Sequence, residues 1–254
     1  MNKYLKNLNR VEFVITNDCT GNCIHCSQGE HKNSGIYLDG NVCEKVLSDI
    51  SKKYNIHSVM TFGGEPLIYP KSVYAIQLAA KNMGIPKRQL ITNGYFSKDK
   101  SKIKKVAQLM YDCGINDLLL SVDSFHQQTI PIQPVMEFAK CIKNLGMNIR
   151  LNPAWLVDKD NNNEYNTKTK QIVCEFKEQG IDEGVGNTVF PEGNAKIYLD
   201  KFFDKQKTYT NPYEENPNNL TSISINSDGS IFDGNIYDES IIEILERYDA
   251  EMEI

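Results

Sequence analysis

Three cysteines, Cys19, Cys23 and Cys26, stand within eight residues, with spacers of three and two residues between them. Thiolates held this close select soft or borderline metals, above all iron–sulfur clusters and zinc. A structural zinc or an ordinary cluster takes four protein ligands. The next cysteine, Cys43, falls inside a helical pattern. A three-ligand set leaves one metal position open, which describes a reactive site and not a staple.

The elements that must position this loop read as alternating strands and helices. Residues 11–16 are a β-branched, apolar run of strand length, and Gly21 and Asn22 permit tight turns within the loop itself. Asp39 reads as the N-cap of a helix through Val42, Val46, Leu47 and Ile50, which recur at helical spacing. A strand over 57–62 ends in Gly63-Gly64-Glu65-Pro66, a helix follows over 74–83, and a strand over 89–92 ends in Asn93-Gly94. The pattern continues with a Lys-rich helix over 98–111, a strand over 117–122 ending at Asp123-Ser124, and a helix over 134–145 with Gly146 as C-cap. A strand over 147–152, a helix over 167–179 and a weak strand over 185–189 complete it.

Strand–helix repeats of about thirty residues are the pattern of βαβ units and a parallel sheet. Special residues recur at the strand C-termini, where β/α barrels build their chemistry. The fold class is therefore α/β, with the special strand ends converging on one face of the sheet. Residues 196–254 form a C-terminal extension with a linker over 204–220, a hairpin over 222–226 and 230–232, and a helix over 238–247.

Composition bounds the function class. Hydrophobic content of 40% and charged content of 24% suit a soluble globular chain. A net charge of −5 argues against nucleic acid as the main partner. The Lys-rich stretch 98–105 is read as a solvated helix face, with a phosphate patch as the alternative. No stretch approaches a membrane span, and the start has no apolar leader region. Seven cysteines, an odd number, then point to a reducing cytoplasm. Cys43, Cys113, Cys141 and Cys174 are read as packed thiols, with a hydrogen-atom donor as the alternative.

Cys-x3-Cys-x2-Cys after the first strand, Gly63-Gly64-Glu65-Pro66 after the second and Thr92-Asn93-Gly94 after the third together resemble the radical S-adenosylmethionine (radical SAM) enzymes. The resemblance spans residues 8–195 and implies a partial (β/α)6 TIM-like barrel carrying one [4Fe–4S] cluster on Cys19, Cys23 and Cys26, with SAM on the open iron and an electron donor such as flavodoxin or ferredoxin. It implies that Gly63, Gly64, Glu65 and Pro66 meet the methionine amino group through backbone carbonyl and carboxylate. A plain strand-to-helix turn is the competing reading. Thr92 and Asn93 would line the SAM site, and the backbone of His25 would meet adenine. Ser121 and Asp123 would reach ribose or substrate, although Asp123 also suits a helix N-cap.

His126 is read as a proton carrier beside the barrel mouth, or as a surface histidine of the following loop. Arg150 and Asn152 share one side of a strand and would reach a carboxylate of SAM or substrate; an arginine anchoring a barrel strand is the alternative. Trp155 is either a wall of the substrate pocket or core filler, and the polar loop 158–166 is a possible lid. Residues 190–195 and 223–232 resemble the sixth strand end and hairpin entry of radical SAM enzymes with a SPASM domain. Those bind extra clusters through cysteines, but here none follows Cys174 and Asp233 stands where one is expected. Auxiliary clusters are therefore not expected. The substrate implied is a peptide; a small metabolite such as a nucleoside or sugar is the alternative, and a non-catalytic iron–sulfur or zinc module the third reading.

Overall fold

The computed structural model describes residues 2–31, 33–209 and 211–251. The first apolar run forms β1 (Arg10–Val14), in which Val11 and Phe13 are fully buried while Arg10 and Glu12 turn to the opposite side. The same alternation builds β2 (Ser58–Phe62), β3 (Lys87–Thr92), β4 (Asp117–Leu120) and β5 (Ile149–Leu151). One side chain in two enters the outer core; its neighbour enters the barrel interior. The two-residue strands β6 (Ala154–Trp155), β7 (Asp182–Glu183) and β8 (Asn187–Thr188) follow. The C-terminal region adds β9 (Ser222–Ile225), β10 (Ser230–Ile231) and β11 (Gly234–Asn235).

The central sheet has seven strands in the order β7-β5-β4-β3-β2-β1-β9. Every pairing within it is parallel. Helices α1 (Gly40–Lys53), α2 (Pro70–Asn82), α3 (Lys100–Asp112), α4 (Ile132–Asn144) and α5 (Glu164–Glu178) connect the strands and cover the outside. The result is the parallel sheet expected from the alternation, curved into the partial β/α barrel that the resemblance implies. Asp39 caps α1 as expected, accepting from the amides of Asn41 (2.8 Å) and Val42 (3.2 Å). Gly40 lets α1 pack closely on α2, since a Cβ there would sit 2.7 Å from that of Ala75. Val59, Leu90, Leu120 and Leu151 from the strands join Leu47, Ile76, Val106 and Phe138 from the helices in one core. Each such side chain contributes about 1.5–3 kcal/mol on burial.

Two expectations need correction. Residues 222–226 meet 230–232 only at the turn, where the Asn226 amide donates to the Ser230 carbonyl (2.9 Å), and form no ladder with them: β9 runs parallel to β1, while β10 pairs antiparallel with β11. Burial decides this, because β9 places Ile223 and Ile225 in the barrel core at 3% and 0% exposure. The hairpin is therefore shifted downstream, and α7 (Ile241–Arg247) follows it. The strand expected over 185–189 shortens to β8, which pairs with β6, while the strand that joins the central sheet is β7, upstream of the expected range. Val185, between them, is fully outside the core at 87% exposure.

A second, smaller core lies above the strand ends. Phe125, Leu156, Val189, Ala195, Leu199 and Phe203 form it. It packs the short helix α6 (Gly193–Tyr198) against the loop after β4.

Candidate active site

The cysteine loop is pinned from both sides by backbone contacts. The Gly64 amide donates to the Thr16 carbonyl (2.7 Å), and the Glu65 amide donates to that of Asp18 (2.8 Å). Asp18 itself accepts from the amides of Ser34 (2.7 Å) and Gly35 (3.1 Å) and from the Tyr69 hydroxyl (2.9 Å). Burial works to raise the Asp18 carboxyl, but these donors outweigh it and hold the group below its ordinary value.

All three cysteines line one cavity of about 480 Å³ at the strand C-terminal ends. Two amides and an imidazole converge on the sulfurs of Cys19 and Cys26. The Gly21 amide lies 3.4 Å from Cys19 Sγ, the Asn93 side-chain amide 3.7 Å from the same atom, and His31 Nε2 3.4 Å from Cys26 Sγ. Burial pushes the Cys19 thiol up to about 11 and Cys23 higher still. For Cys26 burial acts the same way, but His31 outweighs it and brings the thiol below its usual value. A bound cation is what would hold buried thiols as thiolates. Cavity, donors and thiol chemistry together fit an anionic metal–thiolate centre.

Gly63 and Gly64 form the wall beside the cysteines. Gly63 sits at φ +142°, and its missing Cβ leaves room for the backbone of Ile15 and Thr16. Glu65 does not face the cavity. Its carboxylate is fully buried and accepts from Thr92 Oγ1 (2.7 Å) and from the amides of Leu67 (2.9 Å) and Asn93 (2.8 Å). Burial raises its carboxyl to about 7 against the pull of those donors. Its side chain thus fastens the end of β2 to the end of β3, where the resemblance implied a direct hand on an ammonium group. Pro66 opens a buried 3-10 turn (Pro66–Ile68) behind the same wall.

Thr92, Asn93, Ser121 and Asn152 line the cavity, as does His126. His126 is therefore not a surface residue of the loop. Its Nδ1 is 2.8 Å from Asp123 Oδ2. Asp123 is fully buried and also accepts from the amides of Phe125 (2.9 Å), His126 (3.0 Å) and Ala154 (2.9 Å). Burial acts to raise Asp123, but His126 outweighs it and holds the carboxyl far below the usual range. In turn Asp123 raises His126 above its ordinary value against the opposing effect of burial. The pair presents a fixed imidazole edge to the cavity, with the carboxylate behind it. His25 stacks on Phe125 at 4.8 Å between ring centroids and meets His126 edge-on, also at 4.8 Å.

Arg150 is the clearest departure. Its guanidinium makes a bidentate pair with Asp117 (2.9 and 3.0 Å) at the start of β4 and takes no part in the cavity lining. It anchors neighbouring strands, so the carboxylate expected from a ligand comes from the protein. Trp155 is 3% exposed and away from the cavity, hence core. The loop 158–166 folds on itself through Asp158, Asn163 and Asn166, also away from it. Cys43 and Cys113 are packed thiols, pushed up to about 12 by burial, whereas Cys174 is exposed.

Several cavity residues lie outside the site residues expected from the sequence. Arg10 and Glu12 form part of the floor, and Phe190, Glu192, Asn211 and Tyr213 form a rim. Period-two patterning in β1 could have found the first two, as polar positions alternating with buried ones. The others sit in irregular chain, where no periodicity marks them. Arg10 is consumed internally: it pairs with Glu12 (2.5 Å) and donates to Gln89 (2.7 Å) and Ser58 (3.2 Å).

A model of the radical SAM superfamily matches residues 13–189. The chain belongs to the radical SAM superfamily. As a radical SAM enzyme it uses a [4Fe–4S] cluster and SAM. The fold is similar to that of Streptococcus suis SuiB bound to precursor peptide SuiA, with a TM-score of 0.59 at 14% identity, covering 96% of this chain and 65% of that one. It is also similar to BtrN in complex with AdoMet and 2-DOIA, with a TM-score of 0.55 at 13% identity, covering 100% of this chain and 86% of that one. Among curated proteins, the probable GTP 3′,8-cyclase of Methanocaldococcus jannaschii is 25% identical over 127 residues, 50% of this chain and 40% of that protein. The GTP 3′,8-cyclase of Desulforamulus reducens is 25% identical over 132 residues, 51% of this chain and 38% of that protein. The matched stretch thus spans about two fifths of each relative. No helix among the described residues is long and apolar enough to cross a membrane.

Proposed function

We propose that this radical SAM enzyme abstracts a hydrogen atom from a peptide, with its cluster on Cys19, Cys23 and Cys26. The observation that carries the reading is the convergence of three cysteines, and of donors to their sulfurs, on one open cavity at the strand ends. Cluster and SAM together supply the hydrogen-abstracting radical; the electron comes from a flavodoxin or ferredoxin.

The chain's own residues bind, orient and shield. Gly63 and Gly64 bring backbone close to the SAM methionine group, while Glu65 holds that wall against Thr92 and Asn93. Ser121 and Asn152 offer uncharged hydrogen-bonding groups to ribose or substrate. His126, steadied by Asp123, stands ready to hold or move a proton at Nε2.

Charge favours a peptide over a nucleotide. A triphosphate needs several cations, and Arg10 is the one lysine or arginine among the cavity's described lining residues, already engaged by Glu12, Ser58 and Gln89. The rim is instead built from Phe190 and Tyr213, whose rings meet at 6.0 Å, with Glu192 and Asn211 beside them. Such a mouth suits an extended chain carrying apolar side chains. Similarity to a fold that holds a precursor peptide supports the same choice.

The test is anaerobic reconstitution with iron and sulfide, then SAM and dithionite, with mass spectrometry for methionine and 5′-deoxyadenosine. Their absence from a fully loaded sample defeats the radical reading. Candidate peptides and GTP are then added in parallel: extra 5′-deoxyadenosine with a mass change in the peptide supports the substrate assignment, and stimulation by GTP alone reverses it.

A further inference from the structure

The sixth strand end touches the cysteine loop directly. Gly193 has φ +51°, and a Cβ there would collide with the Ser27 carbonyl, lie 2.5 Å from the Cys26 oxygen and 2.6 Å from the Gly29 nitrogen. Next to it, the Asn194 amide donates to the Cys26 carbonyl at 2.9 Å. The Asn194 side-chain Nδ2 donates to the Cys23 carbonyl at 3.0 Å. One residue therefore holds the backbone of two cysteines that lie about 170 positions earlier.

This contact is deeply set. Asn194 is 2% exposed, and its Oδ1 is buried without a partner. An unpaired buried acceptor is costly, and here it accompanies two bonds to the cysteine loop. Ala195, fully buried in the second core with Phe125 and Leu199, fixes the segment from behind. On the other side, Thr188, Val189, Phe190 and Glu192 line the cavity. The same short stretch thus forms a cavity wall and fastens the cysteine loop.

We propose that Asn194 is a positioning residue that sets the spacing of the Cys23 and Cys26 sulfurs by clamping both carbonyls, and that it joins the substrate wall to the cluster loop. The inference rests on the reading of that loop as the cluster site. The Cys26 half of the clamp is backbone, but the Cys23 half needs a side-chain donor: Nδ2 donates there, whereas an ionised carboxylate of the same shape is acceptor-only and would face the Cys23 carbonyl oxygen.

The test uses the full chain, reconstituted anaerobically, with Asn194→Asp and Asn194→Ala beside the wild type. Iron release to a colorimetric chelator is timed, and the reduced protein is followed by electron paramagnetic resonance with and without SAM. Iron release at least tenfold faster in Asn194→Asp, a smaller acceleration in Asn194→Ala, and an altered SAM-dependent spectrum are expected. Release within twofold of wild type with an unchanged spectrum overturns the proposal. Circular dichroism checks folding; if Asn194→Asp does not fold, the rate and spectrum of Asn194→Ala decide. A wild-type chain that takes up no iron overturns the cluster reading itself, so the two failures are told apart.

Discussion

Gly64→Ala tests the wall behind the cysteines. A Cβ at this position would run into the Asp18 carbonyl oxygen and lie 2.8 Å from the Asp18 carbonyl carbon and 2.9 Å from the Asn17 oxygen. All of these are backbone atoms, so no side chain can swing aside. Relief requires the two segments to part, which breaks the bonds from Gly64 to Thr16 (2.7 Å) and from Glu65 to Asp18 (2.8 Å). Two lost bonds at about 1 kcal/mol each, plus about 1–3 kcal/mol for the buried Glu65 amide left unpaired, give about 3–5 kcal/mol. For a chain of this size that lowers the melting temperature by roughly 10 °C. SAM affinity of the reconstituted enzyme should fall at least tenfold, measured by calorimetric titration. Gly146→Ala is the control: φ there is +75° with open space around it, so only the conformational cost of about 1–2 kcal/mol applies. A Gly64→Ala protein that melts like Gly146→Ala and binds SAM normally would refute the steric reasoning.

Three further outcomes follow from the same geometry. Alanine at Cys19, Cys23 or Cys26 should each abolish cluster assembly, read as iron and sulfide content, whereas Cys174→Ser, on an exposed helix face, should leave both unchanged. Arg150→Ala should cost roughly 1–3 kcal/mol by taking the bidentate guanidinium from Asp117, which keeps Gln89 and Lys87, yet leave SAM affinity within twofold; a large affinity loss would return Arg150 to the ligand site. Glu65 has its folded carboxyl raised to about 7 from 4.5, so the stability it contributes is full below 4.5 and lost as pH rises through 7. That slope amounts to about 3 kcal/mol, and denaturation of Glu65→Gln at pH 5 and 8 should show it flattened.

The features legible in the sequence are the local ones. Cysteine spacing, strand–helix alternation, the Asp39 cap and the glycine-rich turn each depend on residues a few positions apart, and each reads directly as geometry. Partners chosen across long separations are harder. Nothing near Arg150 announces that Asp117 takes its charge, and the Ser-Ile-Ser-Ile alternation of β9 signals a strand but not its partner. Residue type alone directs Glu65 to an ammonium; burial and three protein donors turn it inward instead. His126 can be placed on the correct loop, but its position in the cavity depends on Asp123 and the small core around Phe125. Asn194 and Tyr213 lie outside any periodic pattern and become visible only once the sixth strand end is folded over the cysteines.

The pairing of β9 with β1 has a consequence for how the protein matures. β1 carries the cysteine loop, and its outer neighbour lies 212 positions downstream, with Arg10 aligned to Ser222. Contacts so distant in sequence form late, and ribosomal synthesis delivers the N-terminal side first. The cysteine loop is therefore translated well before the strand that completes its frame. Nascent chains arrested before residue 222 should accordingly retain metal poorly, measured as iron bound to the stalled chain.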